Sequence, residues 1–291
     1  MELKGSMVAI ATPFKNGGID VDAYRKLIEF QIANGTSGIV PCGTTGESAT
    51  LSHEEHENLI RLTIDMVAKR ALVVPGTGSN STREALRLTR AAQEAGADAA
   101  LLITPYYNKP TQEGLRRHYD TVAAEVEIPL IIYNVPGRTG VSIEPDTLAR
   151  LVADHDNIVA VKDSTGNMDW TSAVCGIKKL AVLSGDDSAT LPMMALGAVG
   201  VISVLANIAP RPVADLVARF AEGDLAGARE IHQRYFKLMK SMFVETNPMP
   251  VKAAMELMGM IGPEIRLPLV PVSDNNRQKI KLLMQEVGLL K

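Results

Sequence analysis

Lys162 stands at the end of the apolar run Ile158-Val159-Ala160-Val161. If that run is a buried strand, the lysine begins in a place shielded from bulk water. Desolvation disfavours an ammonium ion, and a neutral amine is a nucleophile that condenses with a ketone to an imine. A lysine that simply ends a strand and snorkels outward fits the same position. Tyr133 ends another apolar run, Leu130–Tyr133, and its phenol could carry the protons that carbinolamine formation and dehydration require. A buried tyrosine with a satisfied hydroxyl is the plainer alternative. Thr44 and Thr45 lie in Gly43-Thr44-Thr45-Gly46-Glu47. A hydroxyl there could extend a proton relay, and the backbone N–H groups of the turn could bind a carboxylate. Arg138 lies in Pro136-Gly137-Arg138-Thr139-Gly140, a rigid turn, and carries a planar fork suited to a substrate carboxylate, or else is a surface arginine.

Other reactive-looking groups point less clearly to chemistry. His53 and His56 are three residues apart, not the i, i+4 pair of a zinc-binding HExxH helix. Asp186-Asp187 has no evident partner ligands and reads as a pair that hydrogen-bonds loops and helix N-termini. Cys42 and Cys175 are too few for a disulfide framework, and their apolar surroundings make them small core residues.

These groups need elements to bring them together. Short apolar runs recur at Met7–Ala11, Gly38–Pro41, Leu72–Pro75, Ala99–Ile103, Leu130–Tyr133, Ile158–Val161, Leu180–Leu183 and Val199–Val204. Near-continuous apolar runs of this length fit parallel strands buried on both faces. Amphipathic stretches separate them at Val21–Asn34, Ser52–Lys69, Thr82–Ala95, Thr111–Glu125, Glu144–Ala153, Met168–Ile177, Ser188–Leu196 and Pro210–Glu222. Asp20 is a fitting N-cap for the first, and Ser52 with Glu55 forms a capping-box pattern for the second.

Eight strand–helix units predict an α/β fold, a (β/α)₈ TIM barrel over residues 1–223. Helical patterns at Leu225–Phe243, Met249–Met258 and Asn275–Glu286 predict a helical appendage over 224–291 packed on the barrel. A doubly wound sheet would want a phosphate loop after its first strand, and Thr12-Pro13-Phe14 is not one. In a barrel the strand ends converge on one mouth. There Lys162, Tyr133, Tyr106, Tyr107, Thr44, Thr45, Arg138 and Gly185 would meet. The turns after strands seven and eight have no marked glycine-rich phosphate grip, which favours unphosphorylated substrates.

The chain has 291 residues, 22% charged and 46% hydrophobic, with a net charge of −3, so a nucleic-acid stripe or a polybasic membrane patch is not expected. Met1–Gly5 has no charged-then-apolar signal pattern, and Met7–Ala11 is too short for a signal core. No window approaches the ~20 apolar residues of a membrane span, so a cytoplasmic enzyme is expected.

Four motifs, in this order, resemble one family. Gly43–Glu47, Tyr133-Asn134-Val135-Pro136-Gly137-Arg138-Thr139-Gly140, Val161-Lys162-Asp163-Ser164-Thr165-Gly166-Asn167 and Ser184-Gly185-Asp186-Asp187 are similar to the motifs of the dihydrodipicolinate synthases. These belong to the pyruvate-dependent aldolase/lyase superfamily, and the resemblance spans essentially the whole chain. It implies condensation of pyruvate with L-aspartate-4-semialdehyde to 4-hydroxy-tetrahydrodipicolinate, a lyase step in diaminopimelate and lysine biosynthesis, with no external cofactor and no metal.

By the same resemblance Lys162 forms the imine. Tyr133, Thr44 and Tyr107 form the proton relay, with Tyr107 reaching into a neighbouring subunit's site. Thr45 holds the pyruvate carboxylate, Arg138 holds that of the semialdehyde, and Gly185 and the carbonyl of Ile202 lie beside the substrate and the lysine. A homotetramer is implied, with feedback inhibition by L-lysine at Ser48, Ala49, His53, His56, Asn80, Glu84 and Tyr106. The alternative within the superfamily is an aldolase acting on a sugar acid, of the N-acetylneuraminate lyase or keto-deoxy-gluconate aldolase kind. Arg138 and Tyr106-Tyr107-Asn108-Lys109-Pro110 favour the synthase.

Overall fold

The computed structural model describes residues 3–291, so the first two positions of Met1–Gly5 lie outside the described residues. Strand β1 (Gly5–Ala9) is followed by an antiparallel hairpin of β2 (Phe14–Lys15) and β3 (Gly18–Ile19), then by α1 (Val21–Ala33). The next units are β4 (Gly38–Val40) with α2 (His53–Val67), β5 (Leu72–Val73) with α3 (Thr82–Ala95), and β6 (Ala100–Ile103) with α4 (Gln112–Ala123). Strand β7 (Leu130–Asn134) leads to the short α5 (Pro136–Thr139) and to α6 (Pro145–Asp154). Then come β8 (Ile158–Asp163) with α7 (Met168–Cys175), β9 (Ala181–Ser184) with α8 (Thr190–Leu196), and β10 (Gly200–Ser203) with α9 (Pro210–Ala221). The appendage consists of α10 (Leu225–Ser241), α11 (Met249–Leu257) and α12 (Asp274–Glu286).

The eight-stranded sheet runs β5-β4-β1-β10-β9-β8-β7-β6, and its neighbours are parallel. Its two outer strands meet as well. Asp98 N–H donates to Val73 O at 3.0 Å, Leu101 N–H to Pro75 O at 2.8 Å and Thr77 N–H to Leu101 O at 2.9 Å. These bonds close the ring, giving the (β/α)₈ barrel with a C-terminal helical appendage that the strand count predicts.

Alternation along each strand decides what faces the barrel axis. Met7, Ala9, Val40, Val74, Leu101, Ile131, Leu183 and Ile202 fill the interior. Val8, Ile39, Val73, Leu102, Ile132, Val161 and Val201 join the larger core between strands and helices. Ala160 faces in and Val161 faces out, so the next residue of β8, Lys162, faces in.

The helix ends follow the expected chemistry. Asp20 accepts from Ala23 N–H, and Ser52 and Glu55 exchange both bonds of a capping box. Two details differ from the sequence expectation. Lys162 is not beyond its strand but inside it, because β8 continues through Asp163. Pro136–Thr139, expected as a turn, winds one turn of helix whose N1 proline has no N–H to leave unpaired.

Candidate active site

A cavity of about 850 Å³ opens among the residues that follow the strand ends. Lys162 and Tyr133 meet at its base because they are register partners on adjacent strands β8 and β7. Both are buried, Lys162 at 6% exposure, and the lysine Nζ lies 4.1 Å from the centroid of the Tyr133 ring. No carboxylate lies within ion-pair distance of that amine among the described residues. It faces an aromatic surface rather than a counter-charge.

Gly185 explains how the lysine reaches its place. A Cβ there would come within 2.0 Å of Ser164 Oγ and 2.9 Å of Lys162 Cε. Only a residue without a side chain leaves the lysine stem its path. Asp163, the next residue after the lysine, is buried and accepts from Thr165 N–H at 2.8 Å, Thr165 Oγ1 at 2.7 Å and Thr171 Oγ1 at 2.6 Å, which fixes the exit of β8 onto α7. Asp187 does the same one strand further on. It accepts from Ser203 Oγ at 2.5 Å and from the N–H groups of Val204 and Leu205 at 3.0 Å, although burial pushes its carboxyl up. Asp186 caps the following turn through Ser188 N–H at 2.8 Å, so both aspartates bind loops, as expected from their sequence setting.

Thr44 and Thr45 line the cavity on the turn after β4. Cys42 and Glu47, which flank that turn, sit at φ 55° and 56°, a left-handed conformation unfavourable for side chains with a Cβ. The turn is held from below. Glu47 is buried and pairs at 2.5 Å with the buried Lys252 of α11, and its other oxygen accepts from Arg266 N–H at 3.1 Å. Lys252 also donates to Thr12 O at 3.1 Å. Burial pulls the Lys252 ammonium below the usual lysine range, and Glu47 opposes that pull.

Arg138 lies at the cavity rim and donates through Nη2 to the backbone carbonyl of Asn247 at 3.1 Å. The Asn247 side chain donates from Nδ2 to Thr45 Oγ1 at 3.0 Å. Sequence reasoning missed Asn247, Lys252 and the structural role of Glu47. A local signal exists: Lys252 is the one charged residue in the apolar stretch Met249–Met255, and the other charge of α11, Glu256, comes only after it.

Not every expected residue reaches the cavity. Ile202 is buried in the barrel interior on β10 rather than on the cavity wall. Tyr107 is 90% exposed, with φ at 71°, and takes no part in the cavity wall, whereas Tyr106 does. The same cavity extends to Ser48, Ala49, His53, His56 and Glu84. There His53 Nε2 lies 3.2 Å from Glu84 Oε1, Arg87 meets His53 Nδ1, and Ser79 donates to Glu84. Burial lowers the His56 imidazole below its ordinary range. Asn80 stands aside from the cavity wall, and its carbonyl accepts from Asn108 at 2.9 Å. Among the described residues no group of three or more His, Cys, Asp or Glu side chains could hold a metal ion.

A buried strand lysine under a tyrosine ring, beside a strained threonine turn and an arginine at the rim, matches a known family. The model of the Dihydrodipicolinate synthetase family matches residues 2–287. The chain belongs to that family. The 4-hydroxy-tetrahydrodipicolinate synthase of Geobacter sulfurreducens is 57% identical over 290 residues, 99% of each chain. The dihydrodipicolinate synthase structure from Aquifex aeolicus superposes with a TM-score of 0.97 at 52% identity, covering 99% of both chains. The enzyme from Cyanidioschyzon merolae, solved with lysine bound, superposes with a TM-score of 0.96 at 37% identity, again over 99% of both. These relatives carry the synthase name, so the sugar-acid alternative finds no support among them.

Proposed function

We propose that this chain joins pyruvate to L-aspartate-4-semialdehyde through an imine on Lys162, forming 4-hydroxy-tetrahydrodipicolinate as a carbon–carbon lyase of lysine biosynthesis. One observation carries the reading: a buried lysine amine over the Tyr133 ring at the base of the cavity, without a counter-charge. Lys162 Nζ attacks the pyruvate ketone, and the carbinolamine loses water to give the imine. The imine draws electrons from the methyl C–H bond, a proton leaves, and the enamine carbon attacks the aldehyde. The amine of the aldehyde substrate then displaces Lys162 and closes the ring, returning the free lysine. Tyr133 and Thr44 move the protons, Thr45 holds the pyruvate carboxylate, Arg138 holds that of the semialdehyde, and Gly185 clears the path of the lysine.

Tyr107 completes the relay from a neighbouring subunit of a cytoplasmic homotetramer. Its nearly complete exposure at a left-handed backbone position supports that reading. L-Lysine inhibits at the far end of the cavity, where Glu84 would meet an ammonium among Ser48, Ala49, His53, His56 and Tyr106, with Asn80 reaching the ligand from outside this wall. The catalytic unit spans residues 1–223 and the helical region 224–291, the latter contributing Asn247 to the site.

The test is borohydride reduction with pyruvate followed by peptide mapping. We expect pyruvate-derived mass on the peptide carrying Lys162, and an unmodified Lys162 at saturating pyruvate would overturn the mechanism. Arg138→Ala should raise the KM for the semialdehyde at least tenfold, roughly the loss of a charge-assisted bond, while trapping with pyruvate persists. Sedimentation of the free protein and lysine titration of its activity test the assembly and the inhibition.

A further inference from the structure

Asn247 lies more than two hundred residues from Thr45 in the chain, yet it touches both groups that hold substrate carboxylates in the reading above. Its side chain is 4% exposed and lines the cavity. The direction of the Nδ2 to Thr45 Oγ1 bond matters. When Thr45 Oγ1 accepts a proton from the amide, its own hydroxyl proton is free to point elsewhere. An anion in the cavity is the partner that best uses it. The backbone carbonyl of the same residue takes one N–H of Arg138, which fixes the guanidinium at the rim and leaves the rest of its fork for a ligand.

We propose that Asn247 is a positioning residue for the condensation. Its amide orients the Thr45 hydroxyl towards the keto acid carboxylate, and its carbonyl anchors Arg138 for the second substrate. The helical appendage thereby completes a site whose reacting groups all belong to the barrel. The proposal rests on the assignment of Thr45 to the pyruvate carboxylate.

The two contacts are made by different parts of Asn247 and can be separated. Asn247→Leu removes the amide donor but keeps the backbone carbonyl. The KM for pyruvate should rise about tenfold, the size of one lost hydrogen bond to a charged group, with the KM for the semialdehyde changed less than threefold. Because Asn247 acts through Thr45, Asn247→Leu should add little to the pyruvate KM once Thr45→Val is present. Asn247→Asp keeps the volume and enters the same cycle should the leucine variant not fold. A multiplicative effect of the two substitutions, an unchanged pyruvate KM in Asn247→Leu, or equal losses for both substrates would overturn the proposal. A Thr45→Val variant with the wild-type pyruvate KM would instead overturn the carboxylate assignment beneath it.

Discussion

Two lysines are buried among the described residues, Lys162 on β8 and Lys252 on α11, and they are buried for opposite reasons. Lys162 at 6% exposure has a tyrosine face and, among the described residues, no carboxylate, while Lys252 at 5% has Glu47, a backbone carbonyl and the Phe14 ring. A buried charge with a partner is structural: it links the appendage to the strained turn after β4. A buried amine without one opens on a cavity and is available to a substrate. Burial alone therefore does not mark a catalytic lysine. What separates the two is whether the surroundings already satisfy the charge.

The largest effect is expected of Lys162→Met. Imine formation needs the amine, so kcat should fall roughly 10³-fold or more, with no borohydride adduct. The melting temperature should stay close to wild type or rise, because no ion pair is lost and an apolar chain of similar length fills the space. A large loss of stability would mean that Lys162 is structural after all, like its counterpart.

Lys252→Met should show the reverse pattern. It leaves the Glu47 carboxylate buried without its partner and should cost about 3–5 kcal/mol in urea unfolding. The double variant Glu47→Gln/Lys252→Met should recover most of that loss, since neither buried charge then remains. Failure to recover would show that packing of the lysine stem, and not the charge pair, holds the turn.

A smaller effect is expected at Gly185, which serves only the first lysine. Gly185→Ala drives a methyl against Ser164 Oγ and Lys162 Cε. A displacement of the amine by about 1 Å is expected to lower kcat/KM by roughly 10²-fold. Adding Ser164→Ala removes the closer clash and should restore part of the trapping yield. Full activity in Gly185→Ala would show that the lysine does not need this path.

How much of this contrast is legible in the sequence follows from the range of each interaction. All eight barrel strands are visible as apolar runs, with no end displaced by more than two residues, because burial on both faces leaves a continuous local signal. Lys162, Tyr133, Thr44 and Arg138 are legible because strand ends in a barrel converge by topology. Residues 14–19 form a hairpin of two-residue strands, too short to show alternation. Asn247 and Lys252 reach Thr45 and Glu47 across most of the chain, and no local period carries such a contact. Only the isolated charge in the apolar face of α11 hints at it. Strand-end topology puts Tyr107 at the mouth, but its side chain turns out into solvent, and no local sequence signal sets that direction.

The smallest effect is expected at a buried base that has, among the described residues, neither a carboxylate partner nor a place in the cavity. His118 on α4 has Nδ1 2.9 Å from Thr82 Oγ1, packs edge-on against Tyr119 and has Nε2 buried without a partner. Burial lowers it from an ordinary 6.5 to about 4. The unfolded chain therefore takes up the proton first as pH falls. Above pH 6.5 the group costs nothing, and between 6.5 and about 4 it progressively destabilises the fold. At pH 4.5 the penalty relative to pH 7 is about 2 kcal/mol, from the usual 1.36 kcal/mol for each unit between the two titrations. His118→Gln cannot take up that proton, so its urea midpoint should fall less than that of the wild type between the two pH values, whatever its stability at pH 7. Parallel pH profiles for the two proteins would mean that the folded chain accommodates the imidazolium, and that a buried base does not need a counter-charge here.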